Sequence, residues 1–132
     1  MGIRVVRRSN RDREFYRLLG PFLARREIER EIGYRLYDDD DKVWYVALDE
    51  RGAVVGFCAA RQTRTHAAFS SAYVVPSRRR EGVYSRLWRQ RDEEFPGAAR
   101  AVCTAASLPM FLKHGWREHR RRGRFVEVRR DG

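Results

Sequence analysis

The sequence predicts a single α/β domain with a mixed, mostly antiparallel sheet flanked by helices. Three observations carry that expectation. The chain has 132 residues, enough for one hydrophobic core and too few for two. Its apolar residues fall into short alternating runs and into longer stretches with a period near 3.6. Turn residues separate these segments into the order β-α-α-β-β-β-α-β-α-β-β, in which helices must cover a sheet. Residues 1–132 are therefore expected to form one domain.

Each element has a local reason. Ile3-Arg4-Val5-Val6 is the first strand. Asn10 and Asp12 can cap a helix carrying Phe15, Tyr16, Leu18 and Leu19, which Gly20-Pro21 should end. A second helix places Ile28, Ile32 and Leu36 on one face at four-residue spacing. Asp38 to Asp41 form an acidic run, read as a solvated turn; hard cations accept carboxylates, but the EF-hand spacing is missing. Val43 to Leu48 is a strand, turned back through Asp49-Glu50-Arg51-Gly52 into Ala53 to Cys58. A third strand covers about His66 to Val75 and stops at Pro76.

After Gly82 the period changes. Val83, Leu87, Trp88 and Phe95 lie on one helical stripe, and Pro96-Gly97 ends it. Ala101-Val102-Cys103 is the next strand. Ser107 can cap a short helix through Lys113, closed by Gly115. Trp116 to Glu118 and Arg124 to Val128 form a closing hairpin around Arg122-Gly123.

Composition narrows the function classes. Charged residues make up 36% and hydrophobic residues 42%, and aromatics reach 12%, which favours a folded core over disorder. No apolar run approaches the roughly 18 residues that span a bilayer. Met1-Gly2-Ile3-Arg4-Val5 lacks a signal peptide's apolar stretch, and Val6 breaks the myristoylation pattern. Cys58 and Cys103 have no metal-ligand spacing, so no metal site is expected; they read as buried reduced thiols of a cytoplasmic protein. The net charge is +11 and the pI near 10.7, with 27 arginines against only Lys42 and Lys113. Such a field favours polyanionic partners, nucleic acid among them, although basic surfaces also occur without that role. Arg117, Arg120, Arg121, Arg122, Arg124, Arg129 and Arg130 can follow a phosphate backbone or form a solvated hairpin face.

The chemistry is concentrated in Tyr73-Val74-Val75-Pro76-Ser77-Arg78-Arg79-Arg80-Glu81-Gly82-Val83-Tyr84-Ser85-Arg86-Leu87. A strand ends, a basic loop with glycine follows, and a helix starts. That order aims several backbone N–H groups and a helix N-terminus at one point, which suits phosphate. The segment resembles the acyl-CoA motif of the GNAT N-acetyltransferase superfamily, with Val74, Pro76, Arg79 and Gly82 on its positions. Tyr84 stands where Gly or Ala is usual. Met110 to Glu118 resembles the family's aromatic helix end, in the right order after the next strand.

The resemblance implies a GNAT fold and acyl transfer to an amine from acetyl-CoA or another acyl-CoA. Its cofactor residues would be Val74, Val75, Arg78, Arg79, Arg80, Glu81, Gly82, Val83, Tyr84, Ser85 and Phe111. The oxyanion donor would be a backbone N–H near Val74 or Val75. The family's tyrosine acid falls on Phe111, which has no proton to give. Tyr84, Ser107 or Tyr73 would act instead, or the thiolate would leave unassisted. For the base, His66 titrates in range and Ser70 can relay a proton through water. Glu27, Glu29 and Glu31 lie in the helical region that would shape the acceptor pocket, or are ordinary helix-surface acids, and His114 reads as structural. Trp44, Tyr45, Tyr34 and Tyr37 can stack on a planar acceptor or simply pack. Taken with the charge, the resemblance extends to phage-type nucleobase-modifying acyltransferases. The alternative is a non-catalytic CoA- or nucleic-acid-binding module with a degenerate site.

Overall fold

A computed structural model describes residues 2–39 and 41–132. Met1 of the N-terminal segment and Asp40 of the acidic run lie outside the described residues. The strands are β1 (Arg4–Arg8), β2 (Lys42–Leu48), β3 (Val54–Gln62), β4 (Ala67–Val74), β5 (Ala99–Thr104), β6 (Arg117–Arg122) and β7 (Phe125–Arg130). The helices are α1 (Phe15–Leu23), α2 (Arg26–Ile32), α3 (Val83–Glu94) and α4 (Leu108–Lys113). The expected element order is therefore observed. One sheet has the order β1-β2-β3-β4-β5-β7-β6, antiparallel throughout except where β4 meets β5.

The alternation of β2 shows how the layers form. Trp44, Val46 and Leu48 point to one face and pack with Phe15, Leu18 and Leu19 of α1 and Ile28 of α2. Tyr45 and Ala47 point to the other face, where Val83 and Leu87 of α3 cover them. Both faces are buried, so β2 reads as a continuous apolar run. A third cluster joins Trp88 of α3 and Phe111 of α4 to Phe69, Cys103, Trp116, Val126 and Val128. Trp44 and Tyr45 are thus core residues. Tyr34 is partly buried, and Tyr37 is exposed.

Several local expectations are corrected. Gly20-Pro21 does not end α1, which continues to Leu23 with Pro21 inside it. Proline lacks the N–H for one helical bond, yet burial of the last turn outweighs that loss: Phe22 stacks edge-on against Phe57, with ring centroids 5.5 Å apart. Asp12 does not cap the helix; its carboxylate accepts the Ser9 N–H at 2.7 Å. The second helix stops at Gly33, in the left-handed region, so Leu36 is buried from a loop rather than from the helix. β3, β6 and β7 run past their expected ends, because pairing with a neighbour extends a strand beyond its apolar run. In the acidic run, Asp38 accepts from Tyr16, Asp39 pairs with Lys42 and Asp41 with Arg61.

Two features open the sheet. β4 and β5 pair only at Ala67↔Ala99 and Ala68↔Arg100 and then diverge. Just beyond, β4 carries a bulge: Ser71 and Ala72 together oppose Cys58, with Ser71 at φ 59°. The bulge bends β4 away from β5 and re-aims its side chains.

Gly56 sets the height of α3 above the sheet. A Cβ there would meet Tyr73 O at 3.0 Å, Val83 Cγ1 at 3.1 Å and Leu87 Cδ1 at 3.3 Å. Gly56→Val should therefore lower unfolding stability by about 1–3 kcal/mol in urea denaturation.

Candidate functional site

The phosphate-binding expectation rests on backbone groups, and their bonding is plain. Val75 is followed by a 3-10 turn, Pro76–Arg78, whose Arg78 N–H donates to Val75 O at 2.9 Å. Gly82 then adopts φ 81° as the residue before α3. Among the described residues, the N–H groups of Arg80, Glu81, Gly82, Val83, Tyr84 and Ser85 donate to no protein acceptor. They form a row of open donors at a helix N-terminus, which is the requirement for binding a diphosphate. Beyond its chain neighbours, no heavy atom of the described residues lies within 4 Å of the position a Gly82 Cβ would take, so the approach to this row is clear.

The arginines divide differently from the expectation. Arg78 pairs with Glu81 at 2.8 Å and Asp49 at 3.6 Å. Arg79 grips both oxygens of Glu31 on α2, at 2.7 and 2.8 Å, and donates through Nε to Val74 O at 2.8 Å. Both side chains are committed to the protein, because carboxylates stand close enough to claim them. Arg80, exposed and at φ 69°, makes no ion pair among the described residues. Glu31, read as a surface acid or as part of a pocket-shaping helix, is a wall of the cleft.

The cleft runs through the sheet. A cavity of about 390 Å³ lies against the amide row, bounded by Val74, Arg80, Gly82, Tyr84, Ser85 and Ser107. It shares Glu31, Arg79, Tyr84 and Ser107 with a cavity of about 300 Å³ in the gap between β4 and β5. That space in turn shares Tyr34, Phe69, Ser70, Ala101 and Val102 with a third, of about 560 Å³, on the α2 side. Arg100, Arg120, Arg122 and Arg129 surround the third cavity with Glu127. Arg120 pairs with Glu127 at 2.6 Å; the other three arginines make no ion pair among the described residues. Tyr34 closes the junction by accepting the Ser71 N–H at 2.6 Å. Burial raises the Tyr34 phenol above its ordinary range, against the opposing Ser71 bond.

The structure brings Tyr84, Ser70 and Ser107 to the cleft. Tyr84 does not cap the amide row with its ring; the ring lies edge-on to Trp88, centroids 5.9 Å apart. Burial pushes its phenol up to about 12, although the Arg91 charge pulls the other way. Phe111 is buried edge-on between Trp88 and Trp116 and faces the gap as hydrocarbon. Tyr73 sits in the first cavity's wall, with the Arg79 guanidinium 5.4 Å over its ring.

His66 is corrected as a candidate base. It lines none of the three cavities, and its Nδ1 is held at 2.8 Å by the Thr65 hydroxyl. Ser70 lies four residues on, about 13 Å along an extended strand. Burial, and then the charges of Arg100, Arg129 and Arg61, lower the His66 pKa. Val75 is corrected as the oxyanion donor, since its N–H is taken by Val55 O at 2.9 Å. Backbone directions alternate along a strand, so the Val74 N–H faces the gap instead, as its carbonyl does.

Sequence reasoning missed Arg91. It is 1% exposed, borders the gap and donates through Nη1 to Ala59 O at 3.2 Å. Its signal was present: it occupies the next position of the Leu87-Trp88 stripe, where an apolar residue belongs. Cys58 and Cys103 are buried free thiols, and burial pushes the Cys103 thiol up to about 11. Among the described residues no group of three His, Cys, Asp or Glu side chains can hold a metal, and no helix is long and apolar enough to cross a membrane.

Comparison with solved structures places this geometry among known folds. Escherichia coli ElaA is 14% identical, with 98% of this chain and 99% of that one aligned and a TM-score of 0.76. A GNAT-family acetyltransferase from Staphylococcus aureus is 12% identical over 97% and 98% of the two chains, with a TM-score of 0.70. The PaiA N-acetyltransferase of Thermoplasma acidophilum, solved with coenzyme A, is 10% identical over all of both chains, with a TM-score of 0.69. No match is found among curated protein sequences. The open amide row, the unoccluded Gly82 and the divided sheet fit the acetyl-CoA or other acyl-CoA that the family uses. The model of the acetyltransferase (GNAT) family matches residues 8–116, and the chain belongs to that family.

Proposed function

We propose that the protein is an acyl-CoA-dependent N-acyltransferase, with acetyl-CoA as donor, acting on an amine that is itself anionic or held on a nucleic acid. The single observation that carries the donor half is the unpartnered amide row from Arg80 to Ser85. Those N–H groups, with the Arg80 side chain beside them, would hold the pyrophosphate. The pantetheine arm would then lie in the gap left by β4 and β5, toward Ser70. The acceptor half is supported by the third cavity, where Arg100, Arg122 and Arg129 stand without ion pairs. A cationic amine would be repelled there, whereas one bearing phosphates would be attracted. A cytoplasmic location belongs to the same proposal and is supported by two buried free thiols.

The residues assign roles as follows. The Val74 N–H faces the gap and would stabilise the carbonyl oxygen as it gains charge. Ser70 would hold a water that removes the proton from the attacking amine. Tyr84 and Ser107 can donate hydrogen bonds to the thioester sulfur. Full proton transfer from Tyr84 is unfavourable, since a phenol near 12 holds its proton more tightly than a thiol, at about 8.5.

Phe111 favours a second reading, a CoA-binding module without turnover, because no ionisable acid occupies its place. Labelled acetyl-CoA offered to DNA, RNA, protein and amine fractions separates the two. Salt-sensitive labelling of nucleic acid or a phosphorylated amine is expected. CoA binding without labelling of any fraction would establish the module.

Gly82→Asp should weaken CoA binding about 100-fold or more in calorimetry, because it adds a carboxylate beside the pyrophosphate and strains a positive φ. Gly82→Ala carries the strain alone and should lose far less. The rate should show no decline from Tyr84 ionisation between about pH 7 and 10, because the folded-state phenol stays protonated until about 12. Tyr84→Phe, which removes one hydrogen bond and no proton transfer, should lose about ten-fold or less in rate and keep an unchanged pH profile.

A further inference from the structure

Arg91 is the one strongly polar side chain of the α3 apolar stripe, and its surroundings do not account for its charge. Its guanidinium lies 4.2 Å over the Phe69 ring and 5.3 Å from that of Trp88. Nη1 reaches Ala59 O and the neutral Tyr84 hydroxyl stands beside the guanidinium, but Nε and Nη2 are buried without a hydrogen bond of good geometry among the described residues. No carboxylate pairs with it within 4 Å among those residues. A buried cation without a counter-ion is costly, and native proteins rarely keep one without a use. The aromatic faces soften the cost without supplying an anion.

Its place in the cleft says which anion would satisfy it. Arg91 lies in the gap between β4 and β5, beyond Tyr84 and facing the same space as Phe111. Arg91 lies nine helical steps beyond Gly82, a rise of about 13 Å. An extended pantetheine arm spans that distance, so a CoA anchored at the amide row would bring its sulfur into this region. The reaction makes an anion there. The amine nitrogen bonds to the carbonyl carbon, and the C–S bond breaks with its electron pair remaining on sulfur. The nitrogen's proton leaves to water in the acceptor cavity, and water later reprotonates the thiolate.

We propose that Arg91 is the catalytic residue that receives the departing CoA thiolate, a fixed positive charge doing the work of the proton donor that Phe111 does not provide. This inference rests on the acyltransferase reading above and deepens it. It also gives Phe111 a purpose: a hydrocarbon wall keeps water from screening the guanidinium. The other titratable groups at this place are Glu31, Tyr34, Tyr84 and Cys103, and Cys58 is close enough to feel the Arg91 charge. Glu31 is already claimed by Arg79, and the remainder are neutral acids at physiological pH.

The test needs binding only. CoA carrying a carbon-13 label beside its sulfur is bound to the full chain, and its thiol is titrated by NMR, which the protein's own thiols and phenols do not disturb. The bound thiol should titrate at least about one pH unit below free CoA, as expected for a cation within a few ångströms. Arg91→Met should abolish that displacement while CoA affinity stays within a few-fold; Arg91→Lys should keep much of it. A wild-type bound thiol titrating at or above free CoA overturns the assignment, whether or not the variants fold. Equal titration in wild type and Arg91→Met does the same, with the acyltransferase reading left standing. Failure of the wild-type chain to bind CoA overturns that reading and this one together.

Discussion

Parallel strands β4 and β5 share only two residue pairs, and the site depends on what happens after they part. Unpaired strand edges inside a protein are costly unless something satisfies their N–H and C=O groups. Here the loss is partly offset: the Val74 carbonyl takes the Arg79 guanidinium, and the Ser71 N–H takes the Tyr34 hydroxyl. What remains is a polar-edged slot through an otherwise closed sheet. It joins a helix N-terminus on one side to an arginine-rimmed cavity on the other.

The rest of the domain holds that slot at a fixed width. α3 sits low on β3 because Gly56 has no side chain, and its N-terminus is thereby brought to the end of β4. The Arg79–Glu31 pair ties the loop to α2 across the mouth. Both groups are substantially exposed, so the pair contributes geometry more than stability. On the far half, the edge-to-face rings of Trp88, Phe111 and Trp116 lock α4 over β5 and β7. The slot is a gap between two separately packed half-cores rather than a flaw in one core.

Charge is arranged with the same economy. Many of the arginines are committed to nearby carboxylates or carbonyl oxygens, as Arg78, Arg79 and Arg130 are. Among the described residues, the arginines without an ion pair include Arg80 by the amide row and Arg100, Arg122 and Arg129 around the third cavity, and also exposed ones elsewhere such as Arg13, Arg64 and Arg89. Net charge alone could not have separated these groups, because it counts a paired arginine and a free one alike.

The order of elements, the loop from Pro76 to Gly82 and the helix end at Gly115 were legible in the chain, because period, proline and glycine act through local backbone geometry. The resemblance to the GNAT helix end also implied that Phe111 stands where the family carries a tyrosine. Legibility ended where the deciding contact was distant in sequence. Pro21 lies inside α1 because Phe22 packs on Phe57, thirty-five positions away. His66 misses the cleft because β4 continues for four more residues before it bulges. Arg91 is buried because a helix stripe, a strand from elsewhere and two aromatic rings close around it. Local sequence therefore determined the elements and the donor-lined turn. Only packing between remote segments decided which charges were paired within the protein and which were left unpaired.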